Sequence, residues 1–179
     1  MPNSLLKILL ISLMAIMFPG HSSADENASP NGPQLNVDHY NVSEGLSQST
    51  VTSLVEDQYG YVWIGTLNGL NRFDGKTFKH YFSENNNTSL PSSFIRSLYI
   101  DQNGRLLVGT DKGLTVYNQE LDQFLPSSEL QQISNQAIWS ISEYNGTIIL
   151  GTENNIYLVS SDLLKITNKF ELNFGGIKK

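Results

Sequence analysis

Val51-Thr52-Ser53-Leu54-Val55-Glu56-Asp57-Gln58-Tyr59-Gly60-Tyr61-Val62-Trp63-Ile64-Gly65-Thr66 returns as Ile95-Arg96-Ser97-Leu98-Tyr99-Ile100-Asp101-Gln102-Asn103-Gly104-Arg105-Leu106-Leu107-Val108-Gly109-Thr110. A third copy, Ile138-Trp139-Ser140-Ile141-Ser142-Glu143-Tyr144-Asn145-Gly146-Thr147-Ile148-Ile149-Leu150-Gly151-Thr152, is one residue shorter in its turn. The Gly-Thr pairs begin at 65, 109 and 151, so the repeat is 44 and then 42 residues long. A fixed period of this size marks a solenoid, a propeller or an array.

The pattern inside each unit decides among these. Short β-branched and aromatic runs alternate with Gly, Asn and Asp, and no stretch has helical periodicity. In the first unit strands are predicted near Val51–Glu56, Tyr61–Thr66, Gly69–Phe73 and Thr77–Phe82, with turns at Asp57–Gly60, Leu67–Asn68 and Asp74–Gly75. Asn68-Gly69 and Asp74-Gly75 are hairpin signals, because these residues accept the positive φ that tight turns require. Four antiparallel strands in one such period make a propeller blade, so the fold class is an all-β propeller. Val62 and Ile64 point one way and Trp63 the other, as expected of a sheet sandwiched between blades. Leu106 and Val108, and Ile148 and Leu150, likewise expect a neighbour. The glycines at 65, 109 and 151 let adjacent blades approach closely.

Three blades are read, at 46–89, 90–132 and 133–167, preceded by a stray strand and loop at 35–45 and followed by a tail at 168–179. Val37-Asp38-His39-Tyr40 in the stray strand parallels Phe78-Lys79-His80-Tyr81 in the outer strand of blade one. An outer strand ahead of the first inner strand is a device that closes propeller rings, by pairing chain start with chain end. Propellers usually have about four to eight blades, so three do not close a ring. The expectation is an amino-terminal piece of something longer, stopping near where a fourth blade would begin.

Ahead of the repeats, Lys7 precedes the apolar run Ile8–Phe18, Pro19-Gly20 breaks it, and Ser22-Ser23-Ala24 follows. This order predicts a secretory signal at 1–24 cleaved after Ala24. The run has 11 residues, against the roughly 20 that a membrane-spanning helix needs. Residues 25–34 are Asn, Ser, Pro, Gly and acids, which reads as a flexible leader. The formal charge is −6, and removing the signal takes one lysine and no acid, leaving −7. A negative balance without a basic cluster argues against nucleic acid as a partner. Only 16% of residues are charged, below the typical value of about 25%, which excludes a coiled coil or a charge-driven disordered tail. With no cysteine, disulfides, thiolate zinc sites and a Cys nucleophile are excluded together.

The blade motif runs Gly45-Leu46, then Val-x-Ser-Leu-x-Glu-Asp, then Gly-x-Val-Trp-Ile-Gly-Thr, then Gly-Leu-Asn-Arg-Phe-Asp-Gly. It resembles the two-component regulator propeller repeat, over roughly 35–167 and most closely at 45–82. Blades two and three depart from it: Leu107 replaces the Trp, Leu150 the Ile, and Asn155 the Gly before the third strand. The resemblance implies the periplasmic sensor region of a bacterial hybrid histidine kinase or membrane-bound diguanylate cyclase. Such a region binds a small extracellular ligand, saccharides among the classes, and is not itself an enzyme. It also implies further blades, an immunoglobulin-like domain, a transmembrane helix and an output domain in the parent, and a homodimeric parent. No cofactor is implied, and the mature segment is not expected to insert into a membrane. The alternatives are a fragment of an exported propeller enzyme acting on polysaccharide, a lyase or glycosidase, and a partner-binding scaffold.

Individual chemical motifs are weak. Gly75-Lys76-Thr77 lacks the earlier Gly of a phosphate loop, position 70 being Leu70, and reads as a hairpin. Asp57-x-x-Gly60 and Asp101-Gln102-Asn103-Gly104 lack the alternating ligands of a calcium loop and also read as hairpins. His39 and His80 reflect repeat symmetry rather than a metal pair. Trp63 and Trp139 could stack on a sugar, yet both read as core. No nucleophile elbow or catalytic carboxylate pair stands out, and the sequons at Asn27, Asn41, Asn86 and Asn145 are treated as chance. No catalytic or metal residue is assigned, and no individual ligand-binding residue. The expected binding surface is the loops Asn85–Ser93 and Ser127–Gln136 with the turns Leu67–Asn68, Asp111–Lys112 and Glu153–Asn154, which share one end of a propeller.

Overall fold

The computed structural model describes residues 37–125 and 128–172. The expected export signal at 1–24, the expected leader at 25–34 and the last residues of the expected tail, 173–179, lie outside the described residues. The chain separates into two units, Met1–Asp38 and His39–Lys179. Only Val37 and Asp38 of the first are described, both exposed.

The second unit holds three four-stranded antiparallel sheets, each a meander in chain order. The first comprises β1 (Val51–Glu56), β2 (Val62–Thr66), β3 (Gly69–Phe73) and β4 (Phe78–Tyr81). The second comprises β5 (Ile95–Ile100), β6 (Leu106–Thr110), β7 (Gly113–Asn118) and β8 (Gln123–Leu125). The third comprises β9 (Ser140–Tyr144), β10 (Thr147–Gly151), β11 (Asn155–Ser160) and β12 (Ile166–Glu171). Each is a propeller blade.

The second strand of each blade carries apolar side chains on both faces because both faces are meant to be covered. Trp63 and Leu70 of blade one join Leu98, Leu106, Val108 and Phe124 of blade two in one core cluster. On the other face of blade two, Leu107 and Leu114 join Ile138, Ile148, Leu150 and Val159 of blade three. Leu106 and Leu107, adjacent in sequence, thus belong to different cores, as strand alternation requires. Val62 and Ile64, on the far face of blade one, are half-buried.

Blade spacing is set where β-strands cross a glycine. A Cβ on Gly65 would lie 2.6 Å from Ile95 Cγ2 of blade two. One on Gly109 would lie 2.4 Å from Ser97 Oγ and 3.0 Å from Ile138 Cβ of blade three. Ser97 cannot simply turn aside, because its hydroxyl donates to the Ile138 carbonyl at 3.0 Å. Gly109→Ala is therefore expected to destabilise the protein by about 1–3 kcal/mol through overpacking, read as a lowered midpoint in urea unfolding. Gly151→Ala, which meets only Ser140 of its own blade, should cost less.

Two boundaries differ from the sequence reading. Val37–Asn41 form no strand, so the described part of the outer strand expected at the start of 35–45, Leu35–Asn41, is not one. Each blade already has its own fourth strand, β4, β8 or β12, and this segment pairs with none of them. Instead Tyr40 packs on Phe73 and Phe78, with centroids 5.0 and 5.7 Å apart, ahead of a capped 3-10 turn at Val42–Glu44. Blade three does not stop at 167, since β12 runs to Glu171. Its outer strand is mostly exposed and polar, Thr167-Asn168-Lys169 at its centre, so the sequence there looked like a tail.

Candidate functional site

The segments entering β1, β5 and β9 meet the β2–β3, β6–β7 and β10–β11 turns at one end of the blades. Backbone hydrogen bonds tie them together: Leu67 to Thr50 O at 3.3 Å, Asp111 to Phe94 O at 3.2 Å, and Gly69 to Ser93 O at 2.7 Å. The loops expected to bind are thus gathered, in part. Asn86, Asn87 and Pro91 of the first loop, Lys112, and Leu130 and Ser134 of the second line one cleft of about 320 Å³. The turn Glu153–Asn154 lines a separate recess of about 280 Å³ with Asn135–Ala137, and Leu67–Asn68 lines neither. Residue 127 lies outside the described residues.

The most distinctive chemistry at this end is a stack across blades two and three. The Arg96 guanidinium lies 3.7 Å from the centroid of the Trp139 ring and 4.6 Å from that of Phe94. Its Nε donates to the Asp111 carboxylate. Trp139 is 55% exposed, so it is not the core residue that the sequence suggested. Planar guanidinium favours stacking on aromatic faces, and the ion pair leaves the platform neutral. The result is a flat indole surface beside both a hydrogen-bond donor and an acceptor. Such a surface suits a polar ring that stacks and hydrogen-bonds at its edge.

Trp63, by contrast, is fully buried, and its Nε1 donates to Asp57 Oδ2 at 2.7 Å. The other Asp57 oxygen accepts from Tyr59 N and Tyr61 N, so this carboxylate serves its own turn. Asp101 does the same for Asn103 N and Arg105 N. These turns border a cleft of about 660 Å³ at the opposite end of the blades. Gly75-Lys76-Thr77 is a hairpin whose Asp74 carboxylate accepts from Lys76 N, Thr77 N and Thr77 Oγ1. Those backbone hydrogen bonds hold its carboxyl below the usual range. His80 sits in β4 with Nε2 2.6 Å from Gly45 O, whereas His39 is in no strand, so the two are not equivalent.

A second polar cluster links the outer strands of blades one and two. Asp122, at φ +54, accepts from Tyr81 and Tyr117 hydroxyls, both at 2.6 Å, and pairs with Lys79. Arg72 donates to the Tyr117 hydroxyl at 2.9 Å. Burial would raise the Asp122 carboxyl, but hydrogen bonds from Lys79, Tyr117 and Tyr81 outweigh it and hold the pKa at about 2. Burial first, then the bond to Asp122, pushes both phenols up. With every partner satisfied, this cluster is an inter-blade latch.

Residues 45–68 and 89–112, the lead-in through the β2–β3 and β6–β7 turns, match the family described as two component regulator propeller. A 38-residue stretch is 55% identical to Histidine kinase P4 of Formosa agariphila, covering 21% of this chain and 3% of that protein. The structure is similar to the extracellular domain of a hybrid two-component system from B. thetaiotaomicron, with a TM-score of 0.66 at 23% identity over 75% of this chain and 20% of that one. A second such domain from the same organism gives 0.57 at 22% identity, over 68% and 19%. The chain spans about a fifth of the length of these two relatives. At these identities they establish the fold. The two matched stretches fall in blades one and two, and the first holds the blade motif drawn from the sequence through Thr66. No helix among the described residues is long and apolar enough to cross a membrane.

Proposed function

We propose that this chain is a periplasmic, ligand-sensing propeller segment of a signal-transduction receptor, and that it binds without reacting. The parent is a two-component sensor kinase or a diguanylate cyclase, homodimeric and anchored in the inner membrane, whose output domain performs the chemistry. The repeat match and the extracellular placement of the structural relatives support the receptor reading. The observation that carries binding is the exposed Trp139 stacked on Arg96 at the loop end of the blades. The ligand is a small extracellular molecule, a saccharide being the class that stacks on indole and hydrogen-bonds to an Arg–Asp pair.

Trp139 and Trp63 are the two tryptophans of the chain, and only the first is exposed. A panel of oligosaccharides is therefore expected to perturb the fluorescence of Trp139 and leave the buried Trp63 unchanged. Trp139→Ala should weaken binding about tenfold or more, the loss of roughly 1.4 kcal/mol of stacking. Equal binding by the variant, or no binding across the panel, would remove the site.

A further inference from the structure

The cleft of about 660 Å³ lies at the end of the blades away from the Trp139 platform. Its walls are the β1–β2 turn of blade one, the β5–β6 and β7–β8 turns of blade two, and Leu164 of blade three. It therefore sits over the two blade interfaces that this chain itself completes. Ile100, Leu106, Val116 and Leu125 give it an apolar floor. Leu164 is held at φ +50, a left-handed conformation that a leucine rarely adopts and that strain of this kind reserves for over-determined, functional places. The volume falls inside the range of small-molecule sites, about 300–1,000 Å³.

The charges around it are not balanced. In blade two the turn carboxylate, Asp101, is paired with Arg105. In blade one Tyr61 stands in place of that arginine. The Asp57 carboxylate is met only by neutral donors, the N–H groups of Tyr59 and Tyr61 on Oδ1 and the Trp63 indole on Oδ2. Glu120 is the other carboxylate in the lining, and neither it nor Asp57 is in an ion pair among the described residues. Arg105 also lines the cleft, but Asp101 and the Ser161 carbonyl engage it. Arg72, over the Trp63 ring, is engaged by Asp122 and the Tyr117 hydroxyl. A low-dielectric cleft lined by charge of one sign concentrates ions of the other. Tyr59 adds an aromatic ring at the lip, 58% exposed beside Asp57. The second repeat has Asn103 at this position, where its amide donates to Ser161 Oγ, so the turn itself does not require a tyrosine.

We propose that this cleft is a second ligand site, which takes an organic ammonium ion with an aromatic or apolar body. The body covers the floor at Ile100, Leu106 and Val116. The ammonium group lies beside the Asp57 carboxylate and against the Tyr59 ring, and Glu120 adds to the attraction. Asp57 Oδ2 accepts one bond, from the indole, and a carboxylate oxygen has capacity for a second donor. Ring faces and carboxylates both attract ammonium groups, whereas a neutral saccharide gains nothing from the charge. The inference goes beyond the receptor reading, and it rests on residues that the Trp139 platform does not use.

The probe is phenethylammonium, with phenylacetate and 2-phenylethanol as anionic and neutral molecules of the same body. Each is titrated into the full chain at neutral pH and low salt while NMR follows the two indole N–H resonances, which Trp139→Phe assigns. Phenethylammonium is expected to shift the Trp63 resonance saturably, because that N–H shares Asp57 Oδ2 with the incoming ammonium, and to leave Trp139 unmoved. Phenylacetate should bind at least about tenfold more weakly, with 2-phenylethanol between the two. Added salt should weaken the binding of the cation. Tyr59→Ala and Glu120→Gln are each expected to weaken it about threefold to tenfold. Both side chains are exposed, so neither change should unfold the chain, and circular dichroism checks this. Asp57→Asn keeps an oxygen for the turn and should weaken binding most. A Trp63 resonance that stays still up to about 10 mM probe, or that all three probes move alike, would overturn the proposal. Binding that ignores all three substitutions in folded variants would overturn it equally. The oligosaccharide panel reads Trp139 and this titration reads Trp63, so the failure of one leaves the other standing.

Discussion

Trp63→Ala is expected to lower the stability of the protein by about 3–5 kcal/mol, the cost of truncating a buried tryptophan. That is a large share of the roughly 5–15 kcal/mol that a typical domain has in all. Trp63 is 1% exposed, with Tyr117 edge-on at 4.6 Å between centroids and Tyr81 stacked at 5.6 Å. Its indole N–H also fills the Asp57 carboxylate, so truncation opens a cavity and strips a turn of one bond at once. Arg72, 5.6 Å from the ring, loses part of its seat as well. Trp63→Phe keeps an aromatic body in the stack but leaves Asp57 Oδ2 unfilled, and should cost distinctly less. Urea unfolding of the three proteins tests this order. A loss below about 1 kcal/mol for Trp63→Ala, the mean for an arbitrary substitution, would show that blade one does not depend on this contact.

Two tryptophans met opposite fates, and the repeat explains both. Trp63 lies in the alternating run of a second strand, where both faces are covered, and its burial was legible from period alone. Trp139 holds the position of Thr52 and Arg96 in the other copies. A position that is polar in two repeats is an exposed one, and reading the column across copies points to the surface. Reading the residue by type alone placed it in the core. The partners of Trp139 were legible only in part, since Asp111 fell in an expected turn while Phe94 and Arg96 come from blade two and meet it only through folding.

Strand boundaries were legible where apolar alternation is strong and failed where it is weak. β1 and β3 fall on their expected residues, whereas β12 is polar enough to read as tail. The shortened turn of the third repeat also has a physical cause. Asn145 and Gly146 take φ of +47 and +73, the signature of a two-residue type I′ hairpin. That turn needs no carboxylate to hold it, and Glu143-Tyr144-Asn145-Gly146 has no aspartate where the longer turns have Asp57 and Asp101.

Those longer turns give the second large effect. The Asp101 side chain is fully buried, and it accepts from Asn103 N at 3.0 Å, Arg105 N at 2.8 Å and Arg105 Nε at 2.8 Å. Arg105 in turn donates to the Ser161 carbonyl of blade three. One carboxylate therefore shapes a turn and aims a guanidinium across a blade interface. Asp101→Ala leaves two backbone donors and a cation without their partner. Removing one member of a buried pair costs about 3–5 kcal/mol. Arg105 is 28% exposed and recovers some hydration, which brings the expected loss to about 2–3 kcal/mol. In Asp57→Ala no ion pair is lost, because Tyr61 stands where Arg105 does, but the buried Trp63 indole N–H loses its acceptor, as do the two backbone donors. That substitution should cost about 1–2 kcal/mol, the worth of its hydrogen bonds. Asp101→Asn keeps an oxygen for the two backbone donors and removes only the charge that holds Arg105. If the Arg105 bridge to blade three contributes, Asp101→Asn falls between Asp101→Ala and wild type in urea unfolding. An Asp101→Asn protein as stable as wild type would mean that the turn accounts for everything and that the charge aiming Arg105 at Ser161 adds no stability.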